Sequence, residues 1–378
     1  MRHVAILIET SRAYGRGLLN GIARYNSEHG HWHTYFQPHG LDEPAPPWMK
    51  GWKGDGIIAR IDNRNMADAV VKTGLPAVNL RRTIRDLDLP YIGANNVKVG
   101  EVGARHLIER GFRQFGFCGY SQGSRHRGET FKRLVEKSGG ACEMIQVPRR
   151  QSNWEREQKR IARWLDKLPK PVGIMASNDD LGFQVLDACR RIGAAVPEDI
   201  AVLGVDNDAF LCKLSIPALS SININSHETG YQAAALLDRM MKGRKPPKKL
   251  PQIDPGEVIV RRSTDVLATS DGDVVSAAQF IRECACNPVT VEDVLNHVAL
   301  SRSSLEPRFK EVLGHTIHQE IKRVQLARAS ELLLETDMPI KQIAVQTGFK
   351  NVQYLTRVFR NAMNETPAAF RRSRPASP

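Results

Sequence analysis

Residues 288–372 carry one helical pattern written twice. The first copy, TVEDVLNHVALSRSSLEPRFKEVLG, runs from Thr290 to Gly314, and the second, IKQIAVQTGFKNVQYLTRVFRNAMN, from Ile340 to Asn364. Leu305 aligns with Leu355 and Phe309 with Phe359, while Val291 aligns with Ile340 and Val294 with Ile343, so the second copy has one extra residue in its turn. Apolar residues at helical spacing on both sides of a short turn predict a helix-turn-helix in each copy. In such a motif the first helix braces the second, which lies in the DNA major groove. Gly348 suits the second turn, where a helix end needs positive φ. Ser301 and Asn351 stand at the next N-cap positions, where a side-chain oxygen takes up free backbone amides. Between the copies, Ile321, Val324, Leu326, Ala327, Leu333 and Leu334 mark a connecting helix over residues 317–334.

The segments ALSRSSL, FKEVLG, RVQLARASELLLET, IKQIAVQTGF, YLTRVFR and ETPAAFR, in that order, resemble the DNA-binding domain of the AraC/XylS family. The resemblance implies that exposed positions of the second recognition helix reach base edges: Val352, Gln353, Thr356 and Arg357. Arg reads guanine and Gln reads adenine by paired hydrogen bonds, and Val touches a thymine methyl. In the first recognition helix the matching positions are Arg302, Ser303 and Glu306. Pro307 departs from the family there, and within a helix it removes one hydrogen bond.

The rest of the chain has a different grammar. Up to about residue 260, short apolar runs alternate with amphipathic ones. The expected strands are 3–9, 56–61, 75–80, 91–93, 114–118, 172–176, 200–205 and 219–224, with a last one at 257–260; helical patterns include 17–27, 97–110, 154–167 and 181–192. Such alternation predicts parallel sheets flanked by helices, and so many strands suit two lobes. The expected fold is therefore α/β and two-lobed over residues 1–267, a linker at 268–273 (ATSDGD), and an all-α double helix-turn-helix domain over 274–372 with a tail at 373–378. The basic, Pro-rich run KGRKPPKKLPQ at 242–252 reads as a surface loop.

Ligands of doubly wound sheets sit at the carboxyl ends of the strands. Polar residues gather at those ends: Glu9, Thr10, Ser11, Arg12, Tyr14 and Arg16; Ser121, Ser124, Arg125, His126 and Arg127; Ser177, Asn178 and Asp179; Asp206, Asn207 and Asp208. Carboxylates, amides, Arg forks and an aromatic face are what a polyol needs. The pieces GxxxGI (Gly17–Ile22), SRHRGETF (Ser124–Phe131), ASNDD, VLGVDND and GYQAA resemble periplasmic sugar-binding proteins and the effector domains of LacI/GalR repressors. That resemblance implies a LacI-type, periplasmic-binding-protein-like effector domain. It also implies ligand contacts from Arg127, Asn178 and Asp206, with Arg12, Tyr14 and Trp154 at first-loop and hinge-side positions. Two departures stand out: Leu80-Arg81 where relatives carry Asp-Arg, and Ile224 where many carry Gln six residues before Gly230.

An effector domain of this kind followed by an AraC-type domain resembles the bacterial regulators of xylose operons. SRAYGR, WLDKLP, SSININSHETGYQAA and VIVRRSTD extend the likeness along the chain. It implies a sugar-responsive regulator that binds operator DNA, takes a small sugar such as D-xylose, works as a homodimer, and recruits RNA polymerase as an activator. A response to arabinose, ribose or a hexose, or action as a repressor or through a protein partner, is the alternative left open.

Composition narrows the remainder. The net charge of +13 suits a polyanion partner, yet residues 271–378 hold 14 Lys and Arg against 12 Asp and Glu, so almost all of the excess lies in the first 270 residues. DNA affinity then depends on where charges point. There is no apolar run of membrane-spanning length and no signal-peptide pattern, and the six scattered cysteines read as reduced thiols of a cytoplasmic protein. HGHWH (29–33) lacks an acidic or cysteine partner and reads as a loop entering a strand rather than a metal site. Trp48 and Trp52 read as packing anchors. No catalytic motif appears and no cofactor is implied.

Overall fold

The structure, a computed structural model, describes residues 1–38, 40, 43–84, 86–120, 125–148, 153–247, 250–265 and 271–373. The chain divides into two compact units, Met1–Val266 and Leu267–Pro378.

The first unit opens with β1 (His3–Leu7), α1 (Ala13–Tyr25), β2 (His33–Phe36), β3 (Gly56–Ala59), α2 (Arg64–Lys72) and β4 (Ala77–Asn79). There follow α3 (Asn96–Glu109), β5 (Gln114–Tyr120), α4 (Arg125–Lys137), β6 (Ala141–Val147), α5 (Trp154–Lys167), β7 (Val172–Ala176) and α6 (Asp179–Arg191). It ends with β8 (Ile200–Val205), α7 (Ala209–Leu214), β9 (Ser220–Ile222), α8 (Ser226–Met241) and β10 (Val258–Ile259). Two sheets result, ordered β2-β1-β3-β4 and β10-β9-β8-β7-β5-β6. All pairings are parallel except β10 with β9. The central strands β3, β7 and β8 are buried throughout, as both faces of a parallel sheet covered by helices require.

Each sheet has its own apolar core, one around Leu7, Ile57, Met66 and Val70, the other around Ile161, Ile174, Val185 and Val202. Three chain crossings join the lobes side by side. Ile253 N donates to Gly93 O and Asn95 N to Ile253 O, while Asn223 N donates to Glu257 O. The helix α8 leaves the second sheet to pack on α1, at a distance only glycine permits. A Cβ on Gly21 would stand 1.9 Å from His227 O, and one on Gly230 2.1 Å from Leu18 O.

Several expectations need correction. The strand that HGHWH was expected to enter is β2, while β6 was not foreseen. Both are sheet edges, one exposed at every residue and the other with four of its seven residues exposed, so neither has the apolar run that marked the rest. The 91–93 segment makes one bridge, Tyr91 to Asn79, and then becomes a crossing. The first helix starts at Ala13, which puts Tyr14 on its first turn rather than in a loop. Trp48 meets Trp52 and Tyr35 edge-on, Trp52 lies tilted against Tyr35, both tryptophans pack on the first core, and Trp32 of HGHWH is buried against Tyr25 just before β2. All six cysteines are free, and none of the described residues form a His/Cys/Asp/Glu cluster fit for a metal ion. No helix among the described residues is long and apolar enough to cross a membrane.

The second unit contains no strand among its described residues. It consists of α9 (Gly272–Cys284), α10 (Val291–Val298), α11 (Arg302–Leu313), α12 (Ile317–Glu335), α13 (Ile340–Gln346), α14 (Val352–Met363) and α15 (Pro367–Ser373). Of the linker expected at 268–273, residues 268–270 lie outside the described residues, and Gly272 and Asp273 already belong to α9. Asp271 starts that helix by accepting the amides of Asp273 and Val274. Of the expected tail, 374–378 lies outside the described residues, and Ser373 ends α15. The repeat is explicit: Leu305 and Phe309 are buried in one core, Leu355 and Phe359 in another. Ser301 caps α11 through Ser304 N, Asn351 caps α14 through Tyr354 N, and Gly348 sits at φ 72°. Pro307 is accommodated within a continuous α11.

Candidate functional site

The polar residues of the first unit converge from the ends of its parallel strands. Glu9, Arg12 and Tyr14 follow β1, Arg60 follows β3, Tyr91 follows β4, Asn178 and Asp180 follow β7, and Asp206 follows β8. Arg127 comes from the first turn of α4. Ser121 and Ser124, expected nearby, lie outside the described residues.

Arg127 is buried. One guanidinium nitrogen donates to Ser177 O and another to Asn96 Oδ1 at 2.9 Å, which fixes its plane across the cleft. Burial lowers its pKa, opposed by Asp206, Tyr14 and Tyr91. Burial likewise raises the Asp206 carboxyl to about 6, with Arg127 pulling down and Asp180 pushing up. Tyr14 is raised by burial, Tyr91 and Asp206, with Thr229 and Arg127 pulling it down. These mutual influences put Tyr14, Tyr91, Arg127 and Asp206 within one electrostatic neighbourhood. Asp206 has φ 107°, and the following Asn207 φ 51°. Such strain in non-glycine residues persists where surrounding structure holds it, most often at ligand clamps.

Asn178 caps α6, accepting from Leu181 N at 3.2 Å, and donates to Asp180 Oδ2 at 2.9 Å. Arg12 reaches across from the first lobe to the same Asp180 oxygen at 3.0 Å. Asp179, by contrast, faces inward: Ser221 Oγ, Asp208 N and Cys212 Sγ all donate to it, so it braces the loop after β8. Trp154 stands apart. It opens α5, is 47% exposed, and has neither ring contact nor hydrogen bond among the described residues.

Sequence reasoning passed over Arg60, Tyr91, Asn96 and Asp180. Arg60 is buried, paired with Glu9, and lies 4.8 Å over the Tyr14 ring. The signal was present: an arginine interrupting the apolar run IIARI at a strand's carboxyl end. The departure Leu80-Arg81 also resolves, since Arg81 pairs with Asp62. The charges of the cleft then balance. Arg12 has Asp180, Arg60 has Glu9, Arg81 has Asp62, and Arg127 has the field of Asp206. A site so balanced suits an uncharged polyhydroxy ligand; an anion would leave a buried carboxylate opposed.

In the second unit, Gln353 and Arg357 are exposed on α14, and Thr356 is half-buried. Arg357 lies 5.2 Å over the Tyr354 ring, which limits its rotamers. Val352 is half-buried and packs on the second core. On α11, Arg302 and Ser303 are exposed, and Arg302 pairs with Glu306 at 2.6 Å. Those three line a groove with Pro307, Lys310 and Thr316.

Comparison with known proteins agrees along the whole chain. Residues 3–97 match the XylR N-terminal domain, residues 104–264 the periplasmic binding protein-like domain, and residues 294–373 a helix-turn-helix domain. The chain is 32% identical to the xylose operon regulatory protein of Escherichia coli K12, over 98% of this chain and 97% of that protein. It is 33% identical to the Haemophilus influenzae protein of the same name, over 97% of each. The solved structure of a xylose-binding transcription activator, XylR, superposes with a TM-score of 0.80 at 32% identity, covering 100% of this chain and 99% of that one. With one repeated motif, one two-lobed cleft and one domain order shared from end to end, the chain belongs to the family of xylose operon regulatory proteins, transcription regulators that bind DNA through a helix-turn-helix domain.

Proposed function

We propose that the cleft binds a neutral pentose, D-xylose first among them, and that binding switches the second unit onto operator DNA to activate transcription. The observation that carries this is the charge-balanced convergence of side chains from both lobes: Arg12 and Tyr14 from the first, Arg127, Asn178 and Asp206 from the second. Asp206 and Asn178 accept and donate hydroxyl hydrogen bonds, Arg127 donates, and the Tyr14 ring lies beside them. Trp154 covers the sugar's apolar face once the lobes close. The name of the solved relative, a xylose-binding activator, supports the choice of sugar. Arg302, Ser303 and Glu306 on α11 and Gln353, Thr356 and Arg357 on α14 read base edges, with Val352 at the margin. The protein works in the cytoplasm, as a homodimer that contacts RNA polymerase. The adjacent Phe210, Leu214 and Ile216, exposed by 72%, 55% and 81%, supply an apolar patch of the kind a second subunit covers. The test is thermal shift against pentoses, hexoses and their phosphates. A native-state ligand at a hundred times its Kd adds about 2.7 kcal/mol of stability. Xylose is expected to shift the first unit's transition and xylose phosphate to leave it unmoved; the reverse order refutes the reading.

A further inference from the structure

The second unit has two separate apolar cores, and α12 belongs to both. Ile317 and Ile321 sit in the core of the first motif, Leu326, Ala329, Leu332 and Leu333 in that of the second. Between Ile321 and Leu326, where a further apolar residue would be unremarkable, stands Gln325, 2% exposed. Its amide nitrogen donates to Ala285 O at 2.7 Å, at the end of α9, and reaches Gly348 O at 3.4 Å, in the turn of the second motif. Its oxygen accepts from Lys322 Nζ at 3.1 Å. That ammonium lies 5.2 Å from the Phe349 ring centroid and 4.9 Å from that of Tyr354, over which Arg357 also lies.

The turn of the second motif meets the end of α9, whose Ala285 lies in the first motif's core, at this point. A Cβ on Gly348 would stand 2.7 Å from Ala285 O, 2.7 Å from Gln325 Nε2 and 3.0 Å from Asn287 O. Carbonyls brought together in a dry seam need a donor, since an unpaired buried carbonyl costs as much as a lost hydrogen bond. Gln325 supplies it at once to the end of α9 and to the turn of the second motif. Apolar surfaces tolerate sliding and small rotation; hydrogen bonds weaken steeply off axis. A single buried amide is the device by which coiled coils fix their register.

We propose that Gln325, assisted by Lys322, is a positioning residue for DNA recognition: it locks the phase and separation of α11 and α14. The protein then reads the distance between two sub-sites as well as their sequences. This rests on the reading of α11 and α14 as DNA-contacting helices. A base pair inserted between sub-sites moves the second by about 3.4 Å and turns it about the duplex axis. A locked pair of helices cannot follow that displacement, whereas a loosened pair can.

The test uses the full chain and a duplex selected by the unaltered protein from a random library, with versions lengthened or shortened by one base pair between the protected segments. The unaltered protein is expected to lose about tenfold or more on respacing, the weight of a mismatched base pair. Gln325→Met keeps length and removes the donors; Gln325→Glu keeps shape and cannot donate. Both are expected to bind the selected duplex more weakly and to discriminate spacing by less than about twofold. Lys322→Met, on a half-buried stem, is expected to move the same way and serves if the Gln325 variants fail to fold. Full spacing discrimination in a folded Gln325→Met or in Lys322→Met overturns the proposal, as does an unaltered protein indifferent to spacing. Failure of the unaltered protein to select any duplex refutes the DNA reading itself, a distinct result.

Discussion

One carboxylate oxygen of Asp208 accepts the backbone amide of Ala13 at 3.1 Å, so a residue of the second lobe closes onto the first turn of α1. The other oxygen caps α7, accepting from Phe210 N and Leu211 N. Arg16 approaches the same carboxylate at 3.5 Å, and Arg12 meets Asp180 at 3.0 Å. Direct lobe-to-lobe contacts thus favour the closed cleft alongside any ligand. Asp208→Asn keeps the cap, since Asn caps as well as Asp, but loses the charge. Its unfolding free energy is expected to stay within about 0.5 kcal/mol of the unaltered protein, while calorimetry shows weaker sugar binding. Asp208→Ala also loses the cap and costs about 1 kcal/mol more. Because ion pairs are made on closure, affinity for an uncharged sugar is expected to fall with salt, and to fall less in Arg16→Gln. Salt-independent affinity in the unaltered protein refutes the latch.

Asp206 gives a second prediction, in pH. Burial raises its carboxyl from 3.8 to about 6. The protonated form is therefore the one folding favours: its stabilisation is complete below about pH 4 and is lost as pH rises through 6. Sugar binding runs the other way, because the ionised carboxylate accepts hydroxyl hydrogen bonds. Affinity is expected to rise between pH 5 and 7 with a midpoint near 6, while the unliganded protein loses some stability over the same window. Asp206→Asn is expected to bind weakly and without that transition. Arg127→Met removes the cation that lowers the Asp206 pKa and is expected to move the midpoint upward.

How far the sequence reveals this molecule depends on how each element is buried. Strands walled on both faces, such as β7 and β8, announce themselves as apolar runs; of the edge strands, β2 shows only as the strand HGHWH enters, and β6, with mixed residues, stays silent. The helix-turn-helix pair is legible because turn glycine, N-caps and core positions recur at fixed offsets, so local chemistry and tertiary packing agree. In the cleft, Tyr14, Arg127, Asn178 and Asp206 are legible as polar residues at strand ends. Arg60 shows only as an arginine interrupting an apolar run, and Asp180 not at all, because their partners, Glu9 and Arg12, are distant in sequence. Val352 has both aspects, half exposed on α14 and packed on the second core, which helical position alone does not reveal.

Base reading can be separated from backbone contact at Arg357. It is exposed on α14 with its guanidinium over Tyr354, a placement that limits the entropy lost when it docks. Arg357→Ala is expected to cost about 1–3 kcal/mol and relax preference at one base pair. Gln353→Ala is expected to do the same at a neighbouring adenine. Gel shifts against a panel of single-base variants check this: equal loss on every sequence, with a smaller salt slope, assigns a phosphate contact instead.

The last prediction joins the two units. The described chain of the first unit ends just after Thr264, whose hydroxyl is buried between His106 and Ser220, and resumes at Asp271. Asp271 is held at once. Arg308, on α11, donates to both its carboxylate oxygens and to Asp273 at 2.8 Å, so the residue following the connection is fastened to the first recognition helix. A sugar that contacts both lobes favours the closed cleft only by its differential affinity for closed over open. If closure repositions the end of the first unit, Asp271 and Arg308 deliver that change to α11. Saturating sugar is then expected to tighten operator binding by about 5- to 150-fold, and operator DNA to tighten sugar binding by the same factor. Both affinities are measured in one buffer, each with and without the other ligand. Arg308→Gln, which keeps a polar group and loses the paired hydrogen bonds, is expected to leave sugar affinity in the absence of DNA unchanged and to shrink the coupling factor. An operator affinity indifferent to sugar would falsify the mechanism, and the sugar would then act after DNA binding, at the polymerase.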